Sequence, residues 1–377
     1  MAKIAVTGFR GVPAGAGGVE QQCEHIYSRL AQRGYEITIY ARSHYVPKDV
    51  RWYRGMRVRR LPTIDTKYTE AFVHTFLAVC DIILSDAEIV HIYSQGPCLF
   101  SPLLRLFKPR ARIFFTCGGL DWQRKKWSKP ASWAIRLGEL CSAVFPHRCI
   151  TVSKELKKYY RSRYGVDASY IPNGMVKAEK KPPESVAGLG LDPGGYFLFV
   201  GRLVPEKRIQ DIIAAFMKTT GRCQLAIVGD SAGTEDYVTE LRRMAQGDAR
   251  VKFLGYRYGD ELAALYSNAR AFINPSELEG LPLTVLEALS YGLVCLVSDI
   301  PPHREIFELG EMKGHFFQVG DIDSLAMAME QVRGMTREEL ETVGSQVCKL
   351  IEECYSWDRA ALELERLYEA SSGNSGA

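Results

Sequence analysis

Short runs that are apolar on both sides, rich in Val, Ile and Phe, recur along this chain and alternate with longer amphipathic segments. In the first half the runs are Lys3-Ile4-Ala5-Val6-Thr7, Glu36 to Tyr40, Ile89 to Tyr93, Arg112 to Thr116 and Cys149 to Val152. In the second half they are Tyr196 to Val200, Gln224 to Val228, Val251 to Leu254, Ala271 to Ile273 and Val294 to Val297. Strands of this kind are buried on both faces, which predicts parallel sheets covered by helices. Two groups of five predict an α/β chain with two doubly wound, Rossmann-like domains. The stretch from Lys177 to Gly195 is rich in Lys, Pro and Gly and reads as linker. The predicted domains are residues 1–175 and 176–356. A last helix at about 357–370 and a flexible tail at 371–377 complete the division.

The length of 377 residues suits two domains, and 46% hydrophobic content suits two full cores. No apolar run reaches the roughly 20 residues needed to span a bilayer. The segment Ala71 to Leu84 is too short and is interrupted by His74 and Asp81. The chain enters a strand at Lys3, so no signal peptide is expected. Its ten cysteines form no C-x2-C pair and read as small buried hydrophobes of a reducing cytosol.

The small net charge conceals an asymmetry. Residues 1–175 carry 27 Lys or Arg against 13 Asp or Glu, whereas residues 176–377 carry 21 against 31. The positive charge gathers at Arg51, Arg54, Arg57, Arg59 and Arg60, and along Lys154, Lys157, Lys158, Arg161 and Arg163. A third group combines Trp122, Arg124, Lys125, Lys126, Trp127 and Lys129. Each group alone is also what a solvated face looks like. A whole domain of one sign points instead to peripheral contact with an anionic membrane. No nucleic-acid module accompanies the charge, so no nucleic-acid partner is expected.

Candidate chemistry concentrates after two strands of the second half. Gly201-Arg202 ends one run, with Lys207 shortly behind. Ser276-Glu277-Leu278-Glu279-Gly280-Leu281-Pro282-Leu283 follows another and leads through Thr284-Val285-Leu286 to Glu287. Gly280 frees a turn there, and Pro282 suits the first position of the next helix. The first-turn amides around Gly280, Leu281, Pro282 and Leu283 would make an anion site between the two carboxylates. Arg202 and Lys207 are then candidates for holding a diphosphate leaving group, with a solvated surface pair as the plain alternative. Glu279 and Glu287 are candidate hydroxyl acceptors, with capping or surface roles as their alternative. Gly17 and Gly18 open a helix near the N-terminus, where backbone could approach a phosphate or the chain could simply turn tightly.

Glu279 and Glu287 match the E-x7-E signature of glycosyltransferase family 4. Val200-Gly201-Arg202-Leu203-Val204-Pro205-Glu206-Lys207 resembles that family's phosphate clamp. Ile171-Pro172-Asn173-Gly174 resembles its turn at the domain crossing, and Gly17-Gly18-Val19-Glu20 its N-terminal glycine loop. The order and spacing of these motifs carry the resemblance across nearly the whole chain. It implies a GT-B fold, two Rossmann-like domains facing a cleft, and the last helix returning to the first domain. It also implies a retaining enzyme that needs no metal or cofactor and takes its sugar from a nucleotide-diphosphate donor. Arg202, Lys207 and Glu279 would act in catalysis, and Glu287 would contact the ribose. Gly201, Gly229, Asp230 and Tyr256 would lie around the nucleotide. The acceptor, a glycan or lipid-linked glycan of bacterial surface polysaccharide synthesis, would meet the first domain in the cytoplasm or at the inner membrane face.

One corner departs from the family's pattern. Members place a His or Asp just after the strand matching Ile113 to Thr116, and here that position is Gly118. The following Gly119-Leu120-Asp121-Trp122-Gln123-Arg124 resembles a bacterial rhamnosyltransferase-like subgroup, making Asp121, Trp122 and Arg124 acceptor-side candidates. Asp121 is equally readable as an ordinary loop carboxylate. Asp321-Ile322-Asp323 imitates a D-x-D metal motif, but it precedes a helix where Asp321 suits the N-cap. The seven histidines show no metal-ligand spacing, so no metal site is expected. A catalytically silent sugar-nucleotide-binding protein and an NADP-dependent oxidoreductase remain as alternatives. The second would rest on Gly15 to Gly18 with Arg42, without the G-x-G-x-x-G spacing.

Overall fold

The computed structural model describes residues 2–372 except 16, 65, 67, 68, 125, 126 and 309–313. The chain forms two compact units, residues 1–174 with 356–377, and residues 175–355.

In the first unit the strands are β1 (Lys3–Thr7), β2 (Glu36–Arg42), β3 (Trp52–Tyr53), β4 (Met56–Leu61), β5 (Ile89–Tyr93), β6 (Arg112–Cys117), β7 (Arg148–Thr151) and β8 (Ser169–Tyr170). They form one sheet in the order β3-β4-β2-β1-β5-β6-β7-β8, parallel except for β3 against β4. Chain order reverses between β1 and β5. Ile4, Val6, Ile39, Val90, Ile92, Ile113 and Phe115 are buried along its centre. β4 reads Met-Arg-Val-Arg-Arg-Leu, with Met56 and Val58 buried and Arg57 and Arg59 exposed, as a strand open to water on one face requires. The helix Trp357–Ser372 belongs to this unit and places Tyr368 against Phe114 in its core. It runs two residues into the predicted tail, and residues 373–377 lie outside the described residues.

In the second unit the strands are β9 (Tyr196–Val200), β10 (Gln224–Val228), β11 (Val251–Gly255), β12 (Ala271–Asn274), β13 (Val294–Ser298) and β14 (His315–Phe317). The order is β11-β10-β9-β12-β13-β14, all parallel. The chain leaves β9 toward β10 and returns on its other side as β12, so the sheet has its switch point between those two strands. Open α/β sheets bind ligands beyond strand carboxyl ends at such a point. Phe197, Phe199, Ile213, Phe216, Ile227, Ile273 and Leu296 fill the core around it.

The stretch read as linker is packed instead. Val186 and Leu191 are buried, and Asn268 Nδ2 donates to the carbonyls of Lys181 (3.4 Å) and Pro182 (3.3 Å). Two apolar residues spaced across a Pro- and Gly-rich stretch are enough to dock it. Asp321 caps the helix Ile322–Gly334, its side chain accepting from the Ser324 amide at 2.9 Å.

Candidate active site

Gly201 and Arg202 emerge from the end of β9. The Gly201 amide donates to the Val228 carbonyl (3.0 Å), and the Leu203 amide to the Asp230 carbonyl (2.9 Å), which fastens the ends of β9 and β10 together. Gly229 makes that approach feasible. Its φ is +135°, and a Cβ there would lie 1.8 Å from the Gly201 carbonyl oxygen. The Tyr256 hydroxyl donates to the carbonyls of Asp230 (3.3 Å) and Ser231 (3.2 Å), and its ring stacks on Tyr258. Gly201, Gly229, Asp230 and Tyr256 are thus brought together.

Beyond Arg202 the chain makes two short turns, Val204 amide to Arg202 carbonyl (3.0 Å) and Lys207 amide to Val204 carbonyl (2.9 Å). Arg202 is half-buried. The Glu277 amide donates to the Glu206 carbonyl (3.0 Å), joining this segment to the one after β12. Across that join, Lys207 Nζ pairs with Glu279 Oε1. Burial would push the Glu279 carboxyl up. The Lys207 ammonium holds it below the usual carboxylate range, with Ser276 alongside. Ser276 is itself fixed, its hydroxyl donating to Asn274 Oδ1 (2.5 Å) and its carbonyl accepting from Ser298 Oγ (2.5 Å).

The helix Leu283–Ser290 follows, with Pro282 at its N-cap rather than in its first position. The amides of Val285 (3.1 Å) and Leu286 (3.3 Å) return to the Pro282 carbonyl, so those of Leu283 and Thr284 are the ones a helix start leaves to a ligand or water. Gly280 is half-buried and Leu281 buried just before it. Glu287 sits on the second turn, accepting from the Tyr266 hydroxyl (2.9 Å). Burial raises its carboxyl to about 7, and the Tyr266 bond offsets only part of that.

His303 had no signal in the sequence. It is fully buried, its Nδ1 lies 2.8 Å from the Ser298 carbonyl, and burial together with Lys207 lowers it to about 4. It is therefore a neutral imidazole donating from Nδ1, and its Nε2 lone pair has no partner among the described residues. Glu206, also buried, keeps Oε2 without a partner among the described residues. His303 lies in no motif, and nothing singled out Glu206 within the one that ends at Lys207; both come to the site because β9, β12 and β13 end side by side.

The remaining candidates lie in the first unit. Gly17 caps the helix Gly18–Gln32, and a Cβ on Gly17 would collide with the Glu20 carboxylate. That carboxylate pairs with Arg10 Nε at 2.9 Å. Two amides just before the glycine loop are already taken, Ala14 by Glu24 Oε2 (2.6 Å) and Gly15 by the Tyr45 hydroxyl (2.8 Å). Gly118 lies beside this helix start, its nearest neighbour for a Cβ being Val19 Cγ2 at 3.5 Å. Asp121, Trp122 and Arg124 come together in a short 3-10 turn. Asp121 Oδ1 pairs with Arg124 Nη2 (3.0 Å), its amide donates to Gln95 Oε1 (3.1 Å), and the Trp122 ring lies 4.2 Å from the Arg136 guanidinium carbon. Gln95 is positioned by Glu139, a buried carboxylate that also accepts from Tyr159 (2.7 Å) and Tyr164 (2.6 Å). No cluster of His, Cys, Asp and Glu suited to a metal occurs among the described residues.

Residues 187–346 match the family model "Glycosyl transferases group 1", and residues 16–177 match "Glycosyltransferase Family 4". An uncharacterized glycosyltransferase of Methanocaldococcus jannaschii is 30% identical across 97% of this chain and 98% of its own. The Escherichia coli UDP-Gal:α-D-GlcNAc-diphosphoundecaprenol α-1,3-galactosyltransferase is 27% identical, with 70% of each chain covered. Among solved structures, Anabaena HepE in complex with UDP and glucose superposes with a TM-score of 0.82 over 98% of this chain and 100% of that one. Its identity is 17%, a likeness of fold. With both units matched and a relative similar from end to end, the chain belongs to glycosyltransferase family 4 and has the GT-B fold.

Proposed function

We propose that this glycosyltransferase moves a sugar, with retention of configuration, from a nucleotide-diphosphate donor to a glycan or lipid-linked acceptor of surface polysaccharide synthesis. The observation that carries the reading is the Lys207–Glu279 pair at the switch point of the second sheet. An ammonium has three N–H groups and Glu279 takes one, so Lys207 suits contact with a phosphate while staying anchored. Arg202 adds a second, planar cation from the end of β9. Glu279 suits the sugar hydroxyls, Glu287 the ribose, and Gly229, Asp230 and Tyr256 the nucleotide end.

In the proposed step the acceptor hydroxyl oxygen forms a bond to the anomeric carbon on the face the leaving group departs from. The carbon–oxygen bond to the β-phosphate breaks, and the acceptor's proton passes to that phosphate. Arg202 and Lys207 stabilise the charge growing on the diphosphate, and no step needs a metal. The Anabaena structure holds UDP and glucose, and the Escherichia coli relative is named for a UDP-sugar donor and a lipid-diphosphate acceptor. Both support a UDP-sugar and a lipid-linked glycan as the first substrates to try. Asp121, Trp122 and Arg124 are proposed on the acceptor side of the first unit, where the rhamnosyltransferase-like resemblance also lies.

A screen of UDP-, GDP-, dTDP- and ADP-sugars, read by released nucleotide and by the anomeric configuration of the product, tests this. One donor should be consumed, with configuration kept. Inverted product sinks the retaining mechanism. Binding of a donor with no turnover in the presence of acceptor glycans would identify a silent sugar-nucleotide-binding protein instead.

A further inference from the structure

The helix Lys129–Val144 buries Ile135, Gly138, Glu139, Cys141 and Ser142 against the first unit. A surface helix should be polar on its other side. Here Trp133, Leu137, Leu140 and Val144, which form one stripe at helical spacing, are 74, 46, 46 and 59% exposed. Leu106 and Phe107, ending the neighbouring Ser101–Phe107 helix, are exposed as well. Arg105 reaches His147 Nε2 at 2.6 Å, which brings the C-terminal ends of these two helices together.

Charge says what covers this face. From Ile89 to Lys154 the chain has eleven Lys or Arg and two carboxylates. Glu139 is buried and hydrogen-bonded, and Asp121 is paired with Arg124. Arg105, Arg110, Lys129, Arg136 and Arg148 are exposed, and no exposed residue of the Lys129–Val144 helix is acidic. A second copy of the chain would bring these cations against themselves. An anionic bilayer offers acyl chains for the stripe and headgroup phosphates for the cations.

We propose that the Trp133–Leu137–Leu140–Val144 face docks the first unit on an anionic membrane, lying in the interface. No helix among the described residues is long and apolar enough to cross one. The inference deepens the reading of a lipid-linked acceptor and rests on it for its purpose, but not for its observations. The aromatic and basic group around Trp122 and Trp127 suits the role less well. Trp122 lies under Arg136, and Trp127 Nε1 donates to the Asp121 carbonyl (2.9 Å), so both are half-buried. Lys125 and Lys126 lie outside the described residues. Trp133 is the exposed tryptophan on this face, and Trp is favoured at the interface.

The full chain should sediment at low salt with phosphatidylcholine vesicles containing about 30% phosphatidylglycerol. Binding should weaken as salt rises and nearly vanish on phosphatidylcholine alone. Trp133→Ser/Leu137→Ser and, separately, Arg110→Glu/Lys129→Glu should each weaken binding roughly tenfold or more, with far-UV spectrum and donor hydrolysis in solution unchanged. The blue shift of tryptophan emission on vesicles should be lost in Trp133→Phe, a change the fold tolerates. Absence of binding at low salt, or undiminished binding by the apolar double variant, overturns the proposal. So does a wild-type dimer that the same variant dissociates. Donor hydrolysis is read without lipid, so docking and sugar transfer can fail independently.

Discussion

Lys207 and Glu279, 72 residues apart in sequence, meet as an ion pair with side chains only 16 and 11% exposed. Removing either partner strands the other in a site with little water, which costs about 2–4 kcal/mol at this degree of burial. Lys207→Ala should therefore lower stability and also reduce kcat/KM about tenfold to a hundredfold, since a charge-assisted phosphate contact is lost. Arg202→Ala should show a fall in kcat/KM of similar size. The double variant Lys207→Met/Glu279→Gln should recover much of the stability and none of the activity. Urea titrations and donor kinetics on the four proteins decide it. Wild-type turnover in Lys207→Ala or Arg202→Ala removes the proposed phosphate role.

This pair also marks how far the residues alone lead. The central strands are legible because a strand buried on both faces must be apolar throughout, as in Tyr196–Val200 and Ile89–Tyr93. β4 is legible only as a β-like segment among Arg51, Arg54, Arg57, Arg59 and Arg60, because a strand open to water on one face needs hydrophobes on the other face alone. β8 and β14 are only two and three residues long, too short for a periodicity. Lys207 and Glu279 are readable because each follows a strand in a recognisable spacing. Ser276 and Glu206 lie within the same motifs without being marked by them, and His303 lies outside them, since what assembles the three is the parallel alignment of β9, β12 and β13. The Gln95–Glu139–Tyr159–Tyr164 network behind Asp121 is likewise a product of tertiary packing, with no trace in local pattern.

Glu287 gives a pH dependence of definite sign. Its carboxyl is raised to about 7 by burial, against an unfolded value near 4.5. The folded protein thus holds a proton that the unfolded chain has released. The resulting stability is fully present below the unfolded value and is lost as pH rises through about 7. The contribution lost is at most about 3 kcal/mol. Between pH 5 and pH 8.5 the wild type should lose thermal stability that Glu287→Gln, always neutral, retains. Parallel curves for the two proteins would show that Glu287 ionises normally.

Two glycines next to the candidate residues should behave oppositely. Gly229→Ala must relieve both a φ of +135° and a 1.8 Å approach to the Gly201 carbonyl, so it should cost about 2 kcal/mol or more and weaken donor binding. Gly118→Ala meets only Val19 at 3.5 Å and should leave the melting temperature within a few degrees of wild type. If Gly229→Ala is as stable as Gly118→Ala, the β9–β10 junction is looser than its hydrogen bonds imply.

Metal dependence separates the proposed mechanism from one in which a divalent ion carries the diphosphate. With Arg202 and Lys207 supplying the positive charge, turnover should survive EDTA. Activity lost to EDTA and restored by Mn²⁺ or Mg²⁺ would show that the two side chains are insufficient.

The C-terminal helix offers the last test, because its two ends contribute to the first unit in different ways. At one end Asp358 pairs with Arg29 at 2.8 Å, but the carboxylate is mostly exposed, and such pairs contribute less than about 1 kcal/mol. At the other end Tyr368 is buried, packed edge-on against Phe114, with its hydroxyl 2.6 Å from His91 Nδ1 and 3.2 Å from the Tyr27 hydroxyl. His91 is held neutral by burial, at about 3; its Nε2 is bound to Thr116, and its Nδ1 also meets the Tyr27 hydroxyl at 2.8 Å. Tyr368→Phe should cost about 1–2 kcal/mol for the lost hydroxyl. Tyr368→Ala should cost about 3–5 kcal/mol through the cavity, while Asp358→Asn stays within about 0.5 kcal/mol. Urea unfolding of the three variants ranks them. Should Tyr368→Ala prove no more destabilising than Asp358→Asn, the helix is an attachment to the first unit rather than part of its core.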